Sequence, residues 1–343
     1  MYYNGNQLLN KKDINGEVPE IYICTSNRSA GKTTFFSHYV IENFKKNNMN
    51  KFMILYRYKY ELDSCADKFF KDIKNIYYTK NIMTSKKAAN GLFHNLFLDG
   101  DLCGYAIPIN SADALKKYSH FFSDTTIMLL DEFQSETNTY VPNEVNKLIS
   151  IHTSVARGNG EMVRRVPLIL IGNPVSIINP YYTALGVSDR LKKDTRFLRG
   201  NGWVLEQGFN EEANNAQSVS PFNRAFMNET YTAYASQGVY LNDNETFIDK
   251  LTGKNNYLCT LKYKDICYGI REYPEEGVIY CDKNADNSYK FKICTTTNDH
   301  EINYVMLHSH DLFLQNLRFY FDKGCFRFKD LQCKEAVLKT LSY

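Results

Sequence analysis

Residues 26 to 33 read SNRSAGKT. The closing Gly31-Lys32-Thr33 ends as a phosphate-binding loop of the pattern G-x-x-x-x-G-K-S/T ends, yet Ser26 stands where the first glycine belongs. In such a loop backbone N–H groups and a helix N-terminus converge on one spot and favour an anion there. Lys32 reaches the β and γ phosphates, and the Thr33 hydroxyl ligates Mg2+. The candidate nucleotide contacts are Ser26, Asn27, Arg28, Ser29, Ala30, Gly31, Lys32, Thr33 and Thr34. Ser26 is acceptable if its φ stays negative, and Arg28 sits where it could touch a terminal phosphate. The competing reading is a surface turn with an accidental Gly-Lys. A second half of the site comes from TTIMLLDEF, residues 125 to 133. Its apolar run ends in two acids, as in a central parallel strand that delivers carboxylates at its C-terminal edge. Asp131 would hold Mg2+ through water, and Glu132 would orient and deprotonate the attacking water. A third strand, PLILIGN at 167 to 173, ends in Asn173. That residue either senses the γ-phosphate and holds the water or simply suits a turn before Pro174.

These residues need elements to hold them. IYIC at 21 to 24 is a short β-branched and aromatic run, read as a buried strand. TTFFSHYVIENFKKNN follows with Phe35, Phe36, Tyr39, Val40 and Phe44 at roughly helical spacing, ending near Asn47. Strand, loop and helix in that order are the context the motif requires. KFMILYR at 51 to 57 reads as another strand, and Asp99-Gly100 between two apolar runs signals a hairpin. The acid-bearing strand lies well downstream of the loop. That leaves room for an extra strand between the two, as in additional-strand, catalytic-Glu ATPases.

The 343 residues suffice for two domains, and the formal net charge of +3 places any basic surface locally rather than globally. Nine cysteines without a C-x-x-C pair argue against a disulfide framework or a zinc ribbon and fit a reducing compartment. The N-terminus lacks the apolar core of a signal peptide, and no run of about 18 apolar residues predicts a membrane span.

Four stretches carry a resemblance to a known family: SNRSAGKT, GYAIPIN at 104 to 110, TIMLLDEF with YVPNEV between 126 and 145, and NPVSIINPYY at 173 to 182. YVPNEV and INPYY are not general phosphate-loop features. The chain resembles the DNA-encapsidation ATPases of small tailed podophages with protein-capped linear genomes, strongly to about residue 185 and more loosely beyond, in strand spacing and GVIYCD at 277 to 282. The resemblance implies a homomeric ring, a pentamer, that docks on the phage portal and prohead in the host cytoplasm and translocates double-stranded DNA with ATP and Mg2+. A packaging RNA between ring and portal is left open. Carried over by position, Lys32 and Thr33 are the phosphate and metal residues, and Asp131 and Glu132 the Walker B acids. Arg157, in SVARGNG, is the arginine that reaches a neighbour's site. Lys117, or Lys116 if the local gap falls differently, lies at the same interface. Tyr3, Asn4 and Gln7 match the family's N-terminal segment and either meet the adenine base or form a strap with no ligand role. The family usually has glycine at Ser26 and Ser29.

The fold expected is a RecA-like additional-strand catalytic-Glu ATPase domain over 1–208, a linker over 209–232 with a helix around Arg224, and a small α+β domain over 233–343 resembling a vestigial RNase-H-like nuclease. In that last part ETFID, NYLCTLKYK, ICYGIREY, GVIYCD and YKFKICTTT read as strands, followed by helices near Leu312–Phe321 and Phe328–Leu341. A two-metal nuclease needs clustered carboxylates. NYLCTLKYK has none, and Glu272 and Asp282 read as solvent-facing strand ends, so DNA or portal binding without cutting is expected. Alternatives to the packaging motor are a ring helicase or related translocase, and a nucleotide-gated scaffold that does not turn over.

Overall fold

The computed structural model describes residues 3–137, 139–157, 162–188, 190–191, 195–226, 245–308 and 310–341. The chain divides into two compact units, Met1–Asn242 and Asp243–Tyr343. No helix among the described residues is long and apolar enough to cross a membrane.

The first unit is a nine-stranded sheet with helices on both faces. Its strands are β1 (Ile21–Thr25), β2 (Lys51–Tyr56), β3 (Met83–Ala88), β4 (Phe93–Leu98), β5 (Asp101–Pro108), β6 (Thr125–Leu130), β7 (Leu168–Gly172), β8 (Phe197–Gly200) and β9 (Trp203–Gln207). They lie in the order β3-β4-β5-β2-β6-β7-β1-β9-β8. The six from β5 to β9 run parallel, and β4–β3 and β8 add antiparallel hairpins at the two edges. Asp99 and Gly100 make the β4–β5 turn with φ of 53° and 95°, the left-handed pair of a tight hairpin. The strand separating β1 from the acid-bearing β6 is β7, the PLILIGN run, so the extra strand comes from downstream of both.

Residues alternate across the sheet. Ile23, Met53, Leu55, Met128, Leu130 and Leu170 face α5 (Glu144–Val155). Tyr22, Cys24, Phe52, Ile54, Leu129 and Ile171 face α2 (Lys32–Lys46) and α3 (Lys59–Tyr77). With both faces covered, the central strands read as continuous apolar runs. The short helices α1 (Asn6–Leu9), α4 (Ala112–Leu115) and α6 (Pro180–Ala184) complete the layer, α6 capped by Asn179, whose side chain accepts from Tyr181 and Tyr182.

The segment expected to be a linker begins differently. It forms α7 (Glu211–Ser218) and α8 (Pro221–Ala225), the latter holding Arg224, and it bonds to the phosphate loop. The remainder of that linker, 227–232, lies outside the described residues.

The second unit has β10 (Asn256–Tyr263), β11 (Ile266–Tyr273), β12 (Val278–Asp282), β13 (Lys292–Cys294), β14 (Val305–Met306) and β15 (Phe326–Phe328), in the order β14-β13-β10-β11-β12-β15. An antiparallel meander of β10 to β12 is extended in parallel by β13 and β14, the strand order of an RNase H sheet. Its core joins Cys259, Leu261, Ile270 and Cys281 to α9 (Leu312–Asp322) and α10 (Leu331–Leu341). Three expectations fail here. Asp282 is not solvent-facing: it is 6% exposed and pairs with Arg271. ETFID forms a turn with one isolated bridge, Ile248 to Phe328, rather than a strand. Phe328 belongs to a strand and not to the last helix, because Phe326 and Phe328 both turn into the core while β15 pairs with β12.

Candidate nucleotide site

The phosphate loop joins the C-terminal end of β1 to α2. Gly31 has φ 92°, a conformation that needs glycine, at the entry to a fifteen-residue helix. Ser26 is absent from the residues with positive φ, which is the condition set for it above. Ser29, the other departure from glycine, does take φ 60°. Its hydroxyl accepts a hydrogen bond from Gln217 of α7 at 3.0 Å. Asn27 is fully buried and pairs both ways with Asn210, accepting from its N–H at 3.0 Å and donating to its carbonyl at 3.1 Å. Arg28 forms an ion pair with Glu136, beyond the acid strand.

Lys32 is 6% exposed and donates to the Ser26 carbonyl at 2.9 Å, the Ser26 hydroxyl at 3.1 Å, the Asn27 carbonyl at 3.0 Å and the Asn173 amide oxygen at 3.1 Å. Burial lowers its pKa below the usual lysine value. Asn173, at the end of β7, is thus brought onto the loop lysine, which explains why a polar residue ends that apolar run.

Asp131 and Glu132 follow the last residue of β6. Burial raises the Asp131 pKa, opposed by a hydrogen bond with the Thr33 side chain and by Lys32. The Thr33 hydroxyl and the Asp131 carboxylate in mutual reach form an oxygen donor pair of the kind that suits Mg2+, with the Lys32 ammonium beside them for the phosphates. Glu132 is exposed and has φ 54°, a left-handed conformation costly for a side chain of this size. Its N–H donates to the Asp131 carboxylate at 2.9 Å.

The residues beneath Glu132 were not foreseen as functional. Arg57, just after β2, donates through Nε to both Glu144 oxygens at 3.1 and 2.9 Å, and through Nη2 to the carbonyls of Glu132 and Phe133 at 3.3 and 2.9 Å. Glu144 is 2% exposed, and it also accepts from the Tyr181 hydroxyl at 2.6 Å and from the Val141 N–H at 2.8 Å. Burial works against the Arg57 charge, but the Glu144 carboxylate outweighs it and raises the pKa. Phe133 packs its ring edge-on to Tyr181 at 5.6 Å. Glu144 lies in the YVPNEV block and Tyr181 in INPYY, so the two blocks meet under the acid.

The N-terminal segment lies across the loop. Tyr3 donates its N–H to the Ala30 carbonyl at 2.8 Å and its hydroxyl to Glu206 at 2.7 Å, while its ring packs on Phe35 and Phe36. Gln7 accepts from Arg196 at 2.8 Å. Arg157 and Lys117 sit elsewhere. Arg164 ties the Val155 carbonyl, at the end of α5, to the Thr125 carbonyl, at the start of β6, with bonds of 2.7 and 2.6 Å. The end of α5 is therefore at the opposite edge of the sheet from Asp131, and Arg157, exposed, follows it. Lys116, Ser119 and Phe122 of the 116–122 turn line one small cavity with Ile151, Ser154 and Val155, which brings Lys116 and the neighbouring, exposed Lys117 to the same region. Lys116 is engaged with Asp113 at 3.1 Å. The glycines after Arg157 lie outside the described residues.

A phosphate loop and a carboxylate pair at the C-terminal edge of one parallel sheet, with β7 between their strands, define a P-loop ATPase of the additional-strand, catalytic-Glu class. Within that class the chain belongs to the family described as Podovirus DNA encapsidation protein (Gp16), which it matches over residues 1–341. It is 23% identical to the DNA packaging protein of Bacillus phage phi29 over 347 aligned positions, covering all of this chain and 96% of that one. Identity to the DNA packaging protein of Bacillus phage B103 is 24%, covering 92% and 93% of the two chains. The fold is similar to that in the bacteriophage phi29 viral genome packaging motor assembly, with a TM-score of 0.72 at 23% identity over 100% of this chain and 97% of that chain. It is also similar to that in the phi28 gp11 DNA packaging motor, at 0.62 and 16% over 99% and 97%.

Proposed function

We propose that this chain hydrolyses ATP to drive double-stranded DNA into a phage prohead, as a homomeric ring docked on the portal in the host cytoplasm. The observation that carries the reading is the convergence of Lys32, Thr33, Asp131 and Asn173 beside an exposed Glu132. Lys32 exchanges its loop oxygens for β and γ phosphate oxygens of ATP. Thr33 and, through water, Asp131 would hold Mg2+, which would supply positive charge to the phosphates. Glu132 orients the attacking water and accepts its proton. Asn173 steadies Lys32 or that water. Tyr3 and Gln7 strap the loop on the base side. Arg157, aided by Lys117 or Lys116, serves the neighbouring subunit, since the end of α5 lies at the far edge of its own sheet. A pentamer is the expected ring, and a packaging RNA is a further candidate partner.

The second unit binds nucleic acid or portal and does not cut. Supporting this, Asp282 pairs with Arg271 at 3.1 Å and Glu272 is bonded to Asn256 at 3.3 Å.

The test is ATP turnover by the purified chain with and without double-stranded DNA over a salt series. Stimulation that falls steeply with salt and ignores sequence supports phosphate-backbone contact. Unwinding of a forked substrate supports the helicase, and binding without turnover supports the scaffold.

A further inference from the structure

We propose that Arg57 is a positioning residue for hydrolysis, clamping the peptide of Glu132 against the buried Glu144. The inference rests on the ATPase reading above. The guanidinium spends its Nε on Glu144 and its Nη2 on two successive carbonyls, those of Glu132 and Phe133. Those carbonyls belong to the turn in which Glu132 takes φ 54°. A left-handed backbone at a non-glycine residue persists only where its surroundings over-determine it. Here they do so from three sides. Arg57 holds the carbonyls, the Asp131 carboxylate accepts the Glu132 N–H, and the Phe133 N–H donates to the Ile171 carbonyl of β7 at 3.1 Å.

The clamp is itself anchored. Glu144 is bonded to Arg57, Tyr181 and the Val141 N–H, and the Arg57 guanidinium lies over the Tyr140 ring at 5.1 Å. The Tyr140 hydroxyl in turn accepts from the Ser135 N–H at 3.2 Å. A planar fork that serves a carboxylate and two carbonyls at once is a task for arginine, because a lysine ammonium cannot span both. Arg57 touches no reacting atom. It sets where the Glu132 carboxylate hangs relative to the water it activates, and a misplacement of about 1 Å there can cost about a hundredfold in rate.

Two variants of the full chain test this. Arg57→Lys keeps a positive charge beside Glu144 but loses the fork. The double substitution Arg57→Gln with Glu144→Gln removes both charges, so neither is left buried alone. The expected result is a kcat at least about tenfold lower in each, with KM and the dissociation constant of a fluorescent ATP analogue within about threefold of the parent, and a retained melting transition. A parental kcat in either folded variant overturns the proposal. So does a loss that falls on nucleotide binding instead of kcat, or failure of both variants to fold, which would make the pair structural only. Failure of the ATPase reading looks different: the parent chain itself would show no turnover that Lys32→Ala removes.

Discussion

Lys32 is the residue whose loss should be least tolerated. Its ammonium gathers four oxygens from the loop and Asn173, so under the proposed function the same atoms that hold the loop together would meet the phosphates. Lys32→Ala is expected to abolish turnover and weaken nucleotide binding, read by phosphate release and analogue titration. Glu132→Gln should bind ATP and Mg2+ normally while stopping turnover, because the amide cannot accept the water's proton. Loss of binding instead would assign Glu132 a structural role. Ser29 offers a stability test. Its left-handed φ costs about 1 kcal/mol that glycine would not pay, partly offset by the bond from Gln217. Ser29→Gly should therefore leave the melting midpoint equal or higher. A fall would show that the Gln217 bond dominates. Lys32, Thr33, Asp131 and Glu132 were legible in the sequence because each is fixed by spacing to its immediate neighbours. Arg57 and Glu144 were not: they are 87 residues apart, and their meeting depends on where β2 and α5 dock.

Among the elements β7 does the most to assemble the site. It separates β1 from β6, presents Asn173 to Lys32, and receives the Phe133 N–H at Ile171. Its last residue, Gly172, is closely covered. A Cβ there would lie 3.0 Å from the Phe133 ring, and Phe133 is fully buried against Tyr181 and Tyr182. Gly172→Ala should cost about 1–3 kcal/mol by overpacking and shift the turn at Glu132. Thermal melting and kcat should both fall, and an unchanged kcat would show that the turn is insulated from the strand. Of the buried parallel strands, β1, β2, β5, β6 and β7 were legible as apolar runs, as was α2 to its end, whereas β9, WVLEQ, was not read. The edge strand β3, MTSKKA, was not, because it is half exposed and polar and is held as a strand by pairing with β4. Phe326 and Phe328 were misread for a similar reason, since a three-residue strand has too little length to show its period.

At the scale of the whole molecule, the trans assignment of Arg157 makes a prediction no single subunit can satisfy. Rings of Arg157→Ala alone and of Glu132→Gln alone should be nearly inactive, since arginine fingers are worth about 10³ or more in rate. Mixed together, some interfaces regain a working acid and a working arginine, so activity should return in a mixture of two dead proteins. Co-assembly without recovery would sink the assignment. The second unit, expressed alone, should not nick DNA with Mg2+ or Mn2+, and metal-dependent nicking lost on Asp282→Ala would reverse that view. One further consequence lies in α5. The helix is about 18 Å long. Its first turn holds Glu144, under the subunit's own acid, and Arg157 follows its last. If Arg157 serves the neighbour as proposed, α5 is a rod with a head in its own site and a tail offered next door, and copies joined head to tail, where the rotation closes, form a circle with a sense of rotation. A disturbance at one acid would then be felt on only one of the two neighbours, so the order in which the subunits fire would have a handedness built into a single helix.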